Sequence, residues 1–174
     1  MDHGLKLALC PGARFKAKDW GVANYVALLG ALAAAPPFRG MTVHVLGGTE
    51  DRATAAVIEQ GAREAGGMTV RDWTGRCDVH QAMALIERCD LCVGNDTFGL
   101  HAAIAVGTPS VVLLWGGDGD RWSPWGDPAK HRMVRAAVDC GGCGGVCAQP
   151  GHDCMARIDV AAVADCARGL VSRT

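Results

Sequence analysis

The sequence lacks an excess of charge of either sign and lacks any long run of apolar residues. Its 174 residues carry 17 Lys and Arg against 18 Asp and Glu, for a formal net charge of −1. A near-neutral chain has no global basic field to attract nucleic acid or anionic lipid, so we expect no nucleic-acid partner and only local anion sites. No apolar stretch approaches the roughly 20 residues that a membrane span needs, so we expect no membrane span.

Two further signals are missing. Residues 1–6 lack the apolar core of a secretory signal peptide, which predicts a cytoplasmic protein. The Gly-x-Ser-x-Gly elbow of many hydrolases is also absent, and Ser110, Ser123 and Ser172 lie outside any nucleophile–base pattern. A hydrolase is therefore not expected.

Short apolar runs alternate with segments of helical periodicity, without an internal repeat or linker, and 174 residues suit a single domain over residues 1–174. Strands that alternate with helices favour right-handed βαβ crossovers and a parallel sheet covered on both faces. The predicted fold is α/β, a Rossmann-like doubly wound parallel sheet, whose ligands bind beyond the carboxyl ends of the strands. The predicted strands are residues 5–10, 42–46, 68–73, 90–94, 110–115 and 132–136, and the predicted helices are residues 22–35, 50–65, 79–88, 99–106 and 160–171.

The loop after the first predicted strand, residues 11–20, is rich in cations. Arg14, Lys16 and Lys18 lie between a strand end and a helix start, close to Gly12. Glycine lets a ligand approach the backbone, a helix N-terminus offers free N–H groups, and cationic side chains supply charge. The loop suits a phosphate, although a solvated basic loop explains the same residues.

The loop after the fourth predicted strand places polar residues directly before a short helix. Asp96 and Thr97 are natural N-cap residues, Gly99 follows, and His101 comes about one turn later. A helix N-terminus with a hydroxyl and free N–H groups can hold a diphosphate. Simple helix capping and a core role for His101 are the alternative interpretation.

The loop after the second predicted strand carries two acidic residues behind a Gly47-Gly48 turn. Glu50 or Asp51 could accept hydrogen bonds from ribose hydroxyls, as acidic residues do in dinucleotide-binding folds. Both residues are equally well explained as first-turn acids that complement a helix dipole.

Several short motifs follow one another along the chain: Pro11-Gly12-Ala13 with Lys18 and Trp20, Gly47-Gly48, Asp72-Trp73-Thr74-Gly75, Gly94-Asn95-Asp96-Thr97 with His101, Ala105-Val106-Gly107-Thr108-Pro109, and Cys154-Met155. In this order they resemble the donor half of glycosyltransferase family 9, the heptosyltransferase family. The resemblance spans essentially the whole chain. It implies a GT-B fold, in which two Rossmann-like lobes enclose the active site, and it makes this chain the C-terminal, donor-binding lobe.

The resemblance also implies the reaction and its residues. The donor would be a nucleotide-diphosphate sugar such as ADP-heptose, transferred to a glycan or lipopolysaccharide-type acceptor without a catalytic metal. Lys18 and Asp96 would serve catalysis, Lys18 by stabilising the leaving diphosphate together with helix-terminal N–H groups, and Asp96 by orienting its loop or touching the sugar. The donor-binding residues would be Arg14, Lys18, Glu50, Cys77, Asp96, Thr97, Gly99, Leu100 and His101, with Glu50 at the ribose and the backbone near Cys77 at the base.

Two features depart from the family pattern. Phe98 follows the Asp-Thr pair directly, where the family usually has glycine, and the glycine comes at position 99. The chain is also about half as long as a full family member, and the missing half is the acceptor lobe that normally supplies the general base. We therefore expect this chain to lack the general base and to work with an acceptor-binding lobe or a separate partner chain.

Nine cysteines are many for a reduced compartment, and four of them fall in a Cys-rich loop, residues 140–154. Cys140, Cys143, Cys147 and Cys154 could hold a structural zinc ion as a thiolate tetrahedron. An iron–sulfur cluster is less favoured, because no redox role is apparent. Two disulfides or free thiols are an equally acceptable interpretation.

The loop after the fifth predicted strand, residues 115–126, combines glycine with Trp115, Trp122 and Trp125. It suits a cover over a sugar or nucleotide, and equally a surface that packs against the missing lobe. A non-catalytic nucleotide-sugar-binding or scaffold module, or half of a sugar-nucleotide epimerase, are the alternative functions. Acceptor-dependent release of a nucleoside diphosphate would favour the transferase over both.

Overall fold

The computed structural model describes residues 4–117, 126–144, 146–147 and 151–172. The strands are β1 (Lys6–Cys10), β2 (Thr42–Val45), β3 (Thr69–Asp72), β4 (Leu91–Asn95), β5 (Ser110–Leu113) and β6 (His131–Val134). The helices are α1 (Val22–Ala33), α2 (Arg52–Ala65), α3 (Val79–Glu87), α4 (Phe98–Val106), α5 (Asp153–Ala156) and α6 (Val160–Val171), with 3-10 turns at Lys16–Lys18, Pro36–Phe38 and Thr49–Asp51. Within these described ranges, no helix is long and apolar enough to cross a membrane.

All six strands run parallel in a single sheet, in the order β3-β2-β1-β4-β5-β6. Helices cover both of its faces: α1 packs against α2 and α6 on one side, and α3 packs against α4 on the other. Successive side chains of β1 alternate between these two cores, with Leu7 and Leu9 in the first and Ala8 and Cys10 in the second. This double coverage explains why β4 and β5 are buried along their whole length and β1 in all but its first residue.

The structure confirms the predicted α/β, Rossmann-like doubly wound fold. Each predicted strand and helix is present, the last helix with the predicted bounds and the others with shifted ends. The first helix ends at Ala33 because the chain turns extended at Ala35, directly before the Pro36–Phe38 turn. The helix predicted from Glu50 begins with a 3-10 turn at Thr49–Asp51, and the regular α-helix starts at Arg52.

The strand order reverses direction next to β1. From β1 the chain continues outward through β2 and β3, then crosses back to β4 on the other side and continues through β5 and β6. The loops that leave β1 and β4 therefore diverge, and a crevice opens between them at the carboxyl edge of the sheet. Ligands of open α/β sheets bind in such a crevice.

A buried polar pair joins the amino ends of β5 and β6. Ser110 Oγ and His131 Nδ1 lie 2.9 Å apart, and both residues are buried. Burial lowers the pKa of His131, the carboxylate of Asp127 raises it, and the ammonium of Lys130 lowers it, for a net decrease. The neutral imidazole is therefore the form that the fold stabilises.

We expect the free energy of unfolding to fall as the pH drops from about 7.5 to about 5. The unfolded chain binds a proton at His131 near the ordinary histidine pKa of about 6.5, whereas the folded chain resists it until a lower pH. Urea unfolding at both pH values measures the effect, and His131→Asn, which can keep the bond to Ser110, should reduce the pH dependence. His80→Asn on the exposed surface of α3 is the control. An unchanged pH dependence in His131→Asn would refute the prediction.

Candidate functional site

A cavity of about 450 Å³ opens at the carboxyl edge of the sheet, around the switch point between β1 and β4. Its walls come from the loops that follow β1, β2, β3 and β4 and from the first turns of α3 and α4. Gly12, Arg14 and the start of α4 supply polar and backbone groups, and this part of the lining is called the polar end. Cys77 and Val79 at the start of α3 supply apolar side chains, and this part is called the apolar end.

The polar end is built on an uncapped helix. Thr97 occupies the N-cap position of α4, but its hydroxyl donates to the carbonyl of Asn95 and does not cap the helix. The first N–H groups of an α-helix have no partner within the helix, and here Phe98 and Gly99 line the cavity. Free N–H groups and the positive end of the helix dipole together favour an anion at this place.

Lys18 and Asp96 form an ion pair across the crevice beside the cavity. Lys18 Nζ donates to Asp96 Oδ2 at 2.7 Å and approaches the backbone oxygen of Asp96 at 3.3 Å. The Lys18 side chain is 15% exposed and that of Asp96 only 1%. The pair links the loop after β1 to the loop after β4, and it keeps a cation next to the open end of α4.

A second buried bond set fixes the distance between the same two loops. Asn95 Nδ2 donates to the carbonyl of Pro11 at 2.7 Å, and the hydroxyl of Tyr25 donates to Asn95 Oδ1 at 2.8 Å. Tyr25 is fully buried, and this burial raises the pKa of its hydroxyl well above the ordinary value. Asn95 therefore has a structural role, because its side chain fixes the distance between the loops after β1 and β4.

The acidic side chain in the middle of the cavity is Asp51. Its Oδ2 accepts the N–H of Gly48 at 2.9 Å, and a Cβ added at Gly12 would lie 2.5 Å from the same oxygen. Burial raises the pKa of Asp51, the Gly48 N–H lowers it, and the carboxylates of Glu50 and Asp19 raise it, for a net increase. Glu50 also lines the cavity but is exposed. The resemblance selected Glu50 for the ribose and left out Asp51, whereas both acids line the cavity.

The apolar end lies over the start of α3. Cys77, Val79 and Ala82 line it, with Trp73 beyond the end of β3. Burial raises the pKa of the Cys77 thiol and the carboxylate of Asp78 raises it further, so the thiol stays protonated and apolar at neutral pH. A flat apolar group such as a nucleobase fits this chemistry.

The structure brings most of the predicted donor-binding residues to one place. Lys18 and Asp96 lie beside the cavity, but Leu100 and His101 are not among its lining residues. Leu100 is 3% exposed and packs with Ile104 in the core. Sequence reasoning missed two lining residues: Cys10, the last residue of β1, and Asp78, the N-cap residue of α3. The predicted residues that line the cavity are Arg14, Glu50, Cys77, Thr97 and Gly99.

The Cys-rich loop is described at residues 140–144, 146–147 and 151–154. Among the described residues, no group of three or more His, Cys, Asp or Glu side chains is placed to hold a metal ion. Cys140, Cys143 and Cys154 are thiols outside any disulfide, and Cys154 is buried. The predicted zinc site with Cys147 as its fourth ligand therefore receives no support from the structure and stays a prediction.

The Trp-rich loop is described only at its two ends. Residues 118–125, with Trp122 and Trp125, lie outside the described residues, so its predicted role as a cover stays a prediction. Trp115 is described and is 6% exposed. Its ring centroid lies 5.1 Å from Lys18 Nζ, which places it beside the Lys18–Asp96 pair.

This strand order, with a cavity at its switch point, defines a Rossmann-like α/β ligand-binding lobe. The sequence model of glycosyltransferase family 9 (heptosyltransferase) matches residues 3–143. The chain belongs to this family. Both the resemblance seen in the motifs and the assignment to the glycosyltransferases are confirmed.

Individual relatives agree with this membership. Lipooligosaccharide heptosyltransferase 2 of Haemophilus ducreyi is 30% identical over 137 residues, which are 78% of this chain and 38% of that protein. The solved E. coli ADP-heptose lps heptosyltransferase II superposes with a TM-score of 0.78 at 23% identity, covering 99% of this chain and 48% of that one. The dodecameric iron-containing heptosyltransferase TibC, in complex with ADP-D-beta-D-heptose, gives a TM-score of 0.68 at 16% identity. The match covers 99% of this chain and 47% of that one. This chain spans less than half the length of each relative, consistent with a single GT-B lobe.

Proposed function

We propose that this lobe binds a nucleoside-diphosphate sugar of the ADP-heptose type and presents it for glycosyl transfer. The observation that carries the proposal is the cavity at the switch point, which is lined by an uncapped helix N-terminus and by apolar side chains at the start of α3, with the Lys18–Asp96 pair beside it. A diphosphate and a nucleobase require these two environments at the two ends of one site. Adenine is our choice of base because the names of the two solved relatives specify ADP-heptose.

Each part of the donor has a matching group in this arrangement. The diphosphate would lie between Lys18 and the first N–H groups of α4, with Thr97 and Gly99 beside it. The ribose hydroxyls would donate to Glu50 or Asp51, which line the middle of the cavity. The base would lie against the apolar wall at Cys77.

The same groups suit the departure of the diphosphate. Negative charge develops on the leaving diphosphate during glycosyl transfer, and a fixed ammonium and fixed N–H groups stabilise such charge without a metal ion. Lys18 is held in place by Asp96 before any ligand arrives, so Asp96 acts in this scheme by positioning Lys18. Arg14, exposed at the mouth of the cavity, supplies a second cation.

The acceptor and its general base would come from a second lobe, in the same polypeptide or in a partner chain. The family relatives have more than twice the length matched here, which leaves room for such a lobe. A glycan or lipopolysaccharide-type acceptor is our proposal on the strength of the relatives' names. The cytoplasmic location stays a prediction.

Calorimetric titration of the purified chain with ADP, UDP, GDP, CDP and ADP-heptose tests the proposal. We expect saturable binding of ADP and ADP-heptose, at least tenfold tighter than binding of the other diphosphates. Binding of a different nucleotide alone would overturn the choice of adenine, and binding of none would overturn the donor site. ADP-heptose binding without transfer, after an acceptor lobe is added, would point to the non-catalytic module.

A further inference from the structure

The ammonium of Lys18 is enclosed between an anion and an aromatic ring. Asp96 Oδ2 accepts its hydrogen bond at 2.7 Å, and the Trp115 ring centroid lies 5.1 Å from Nζ. An ammonium within about 6 Å of an indole face is attracted by the ring quadrupole, and tryptophan is the best of the aromatic side chains for this contact. Three segments, after β1, β4 and β5, thus meet at one cation.

The polar group of Trp115 does not explain why a tryptophan stands here. The Nε1 of Trp20 donates to the carbonyl of Ile158 at 3.1 Å, and that of Trp73 donates to His44 Nδ1 at 3.0 Å. Trp115 Nε1, by contrast, is buried and has no hydrogen-bond partner in the described part of the chain. Within the described residues, the indole therefore meets a charged group through its ring face, at Lys18.

The Cys-rich loop supports the segment that carries Trp115. Gly142 donates its N–H to the carbonyl of Gly116 at 2.7 Å, and Gly144 donates to the carbonyl of Gly117 at 2.8 Å. A Cβ at Gly116 would lie 3.3 Å from Cys154 Cβ, so the two segments are in close contact. The loop thus holds the backbone that directly follows Trp115.

We propose that Trp115 is a positioning residue that keeps the Lys18 ammonium at the diphosphate end of the cavity, a role that rests on the proposed function. A diphosphate and Asp96 are both anions, and they compete for the same N–H donors. The ring attracts the cation without accepting any of its hydrogen bonds, so Lys18 stays confined when its donors turn from Asp96 to the ligand. Trp115 thereby tunes the affinity for the diphosphate and leaves the nucleoside part unaffected.

The test compares Trp115→Leu with Trp115→Phe, using ADP, adenosine and inorganic pyrophosphate as probes. Leucine removes the ring and phenylalanine keeps one, so we expect Trp115→Leu to weaken ADP and pyrophosphate binding about three- to tenfold and Trp115→Phe to recover most of it. Adenosine binding should not change in either variant. In a Lys18→Met background, Trp115→Leu should have no further effect on ADP binding.

Four outcomes would overturn the inference: unchanged ADP affinity in Trp115→Leu, equal losses for ADP and adenosine, a loss that persists without Lys18, or a Trp115→Phe variant as weak as Trp115→Leu. If the wild type binds pyrophosphate but neither ADP nor adenosine, the proposed function fails. The pyrophosphate affinities of the variants then still test the role of Trp115. If the Trp115→Leu variant does not fold, NMR of the wild type tests the contact instead. The side-chain protons of Lys18 should be shifted upfield by the indole ring, and ordinary lysine shifts would contradict the contact.

Discussion

Replacing Lys18 with methionine should weaken nucleoside-diphosphate binding about ten- to a hundredfold, the effect of losing one charge-assisted hydrogen bond. It should also destabilise the fold by about 3 kcal/mol, because the Asp96 carboxylate, 1% exposed, would lose the Lys18 ammonium to which it is paired at 2.7 Å. Titration calorimetry with ADP measures the first effect and urea unfolding the second. Both effects have one cause, because the Lys18 ammonium binds the ligand and also pairs with the buried Asp96 carboxylate.

The same loop offers a matched control. Lys16 is 83% exposed and pairs with Asp19 at the surface, so Lys16→Met should change stability by less than about 1 kcal/mol and leave ADP binding as it is. Adding Asp96→Asn to Lys18→Met should recover stability, because it removes the unpaired charge, but it should not recover binding. Equal affinities for ADP in Lys18→Met and the wild type would move the phosphate site away from this loop.

Replacing Gly99 with alanine should destabilise the protein by about 1–3 kcal/mol and abolish donor binding. Alanine in a helix ordinarily adds about 0.5–1 kcal/mol of stability relative to glycine. At this position the new Cβ would lie 2.6 Å from Cys10 Cβ and closer still to its Sγ, and such overpacking costs more than the helix gains. Relief of the clash must move α4 away from β1, which displaces the N–H groups at the polar end of the cavity.

Gly30 in α1 provides the comparison, since a Cβ there meets nothing within 4 Å. Gly30→Ala should therefore stabilise the protein by about 0.5–1 kcal/mol without a change in ADP affinity. In a Cys10→Gly background, which lacks the clashing atoms, Gly99→Ala should cost much less than in the wild type. Thermal or urea unfolding compares the wild type with Gly99→Ala, Gly30→Ala, Cys10→Gly and the Cys10→Gly/Gly99→Ala double variant. A Gly99→Ala single variant more stable than the wild type would show that α4 does not pack on β1 as described.

Sequence patterns located the functional loops because parallel α/β folds obey simple rules. The apolar runs at β1 and β4 predicted buried strands, and the loops after them were predicted to lie at the same edge of the sheet. The structure confirms both. Element ends shifted by a few residues, as at Ala33, because turns and extended residues before proline are set by local geometry that periodicity does not resolve.

The direction of individual side chains could not be predicted in the same way. Leu100 and Thr97 stand three residues apart in one motif, yet Leu100 packs in the core and Thr97 lines the cavity. Trp115 was predicted to end the fifth strand and to begin a loop that covers the ligand or packs against the missing lobe. Nothing in the sequence relates it to Lys18, which is 97 positions away. Contacts of this kind arise only when separate strands lie side by side.

The sequence by itself determined the fold class, the family and the edge of the sheet that carries the site, because these depend on the order of strands and helices and on short contiguous motifs. The tertiary structure alone decided that Lys18 pairs with Asp96, that Asn95 is committed to Pro11 and Tyr25, and that Cys10 sets the space available to Gly99. Each of these contacts joins the chain at or after the end of β1 to the chain at or after the end of β4. Their distance is fixed by the parallel β1–β4 pairing, and a linear sequence does not encode that distance in any local pattern.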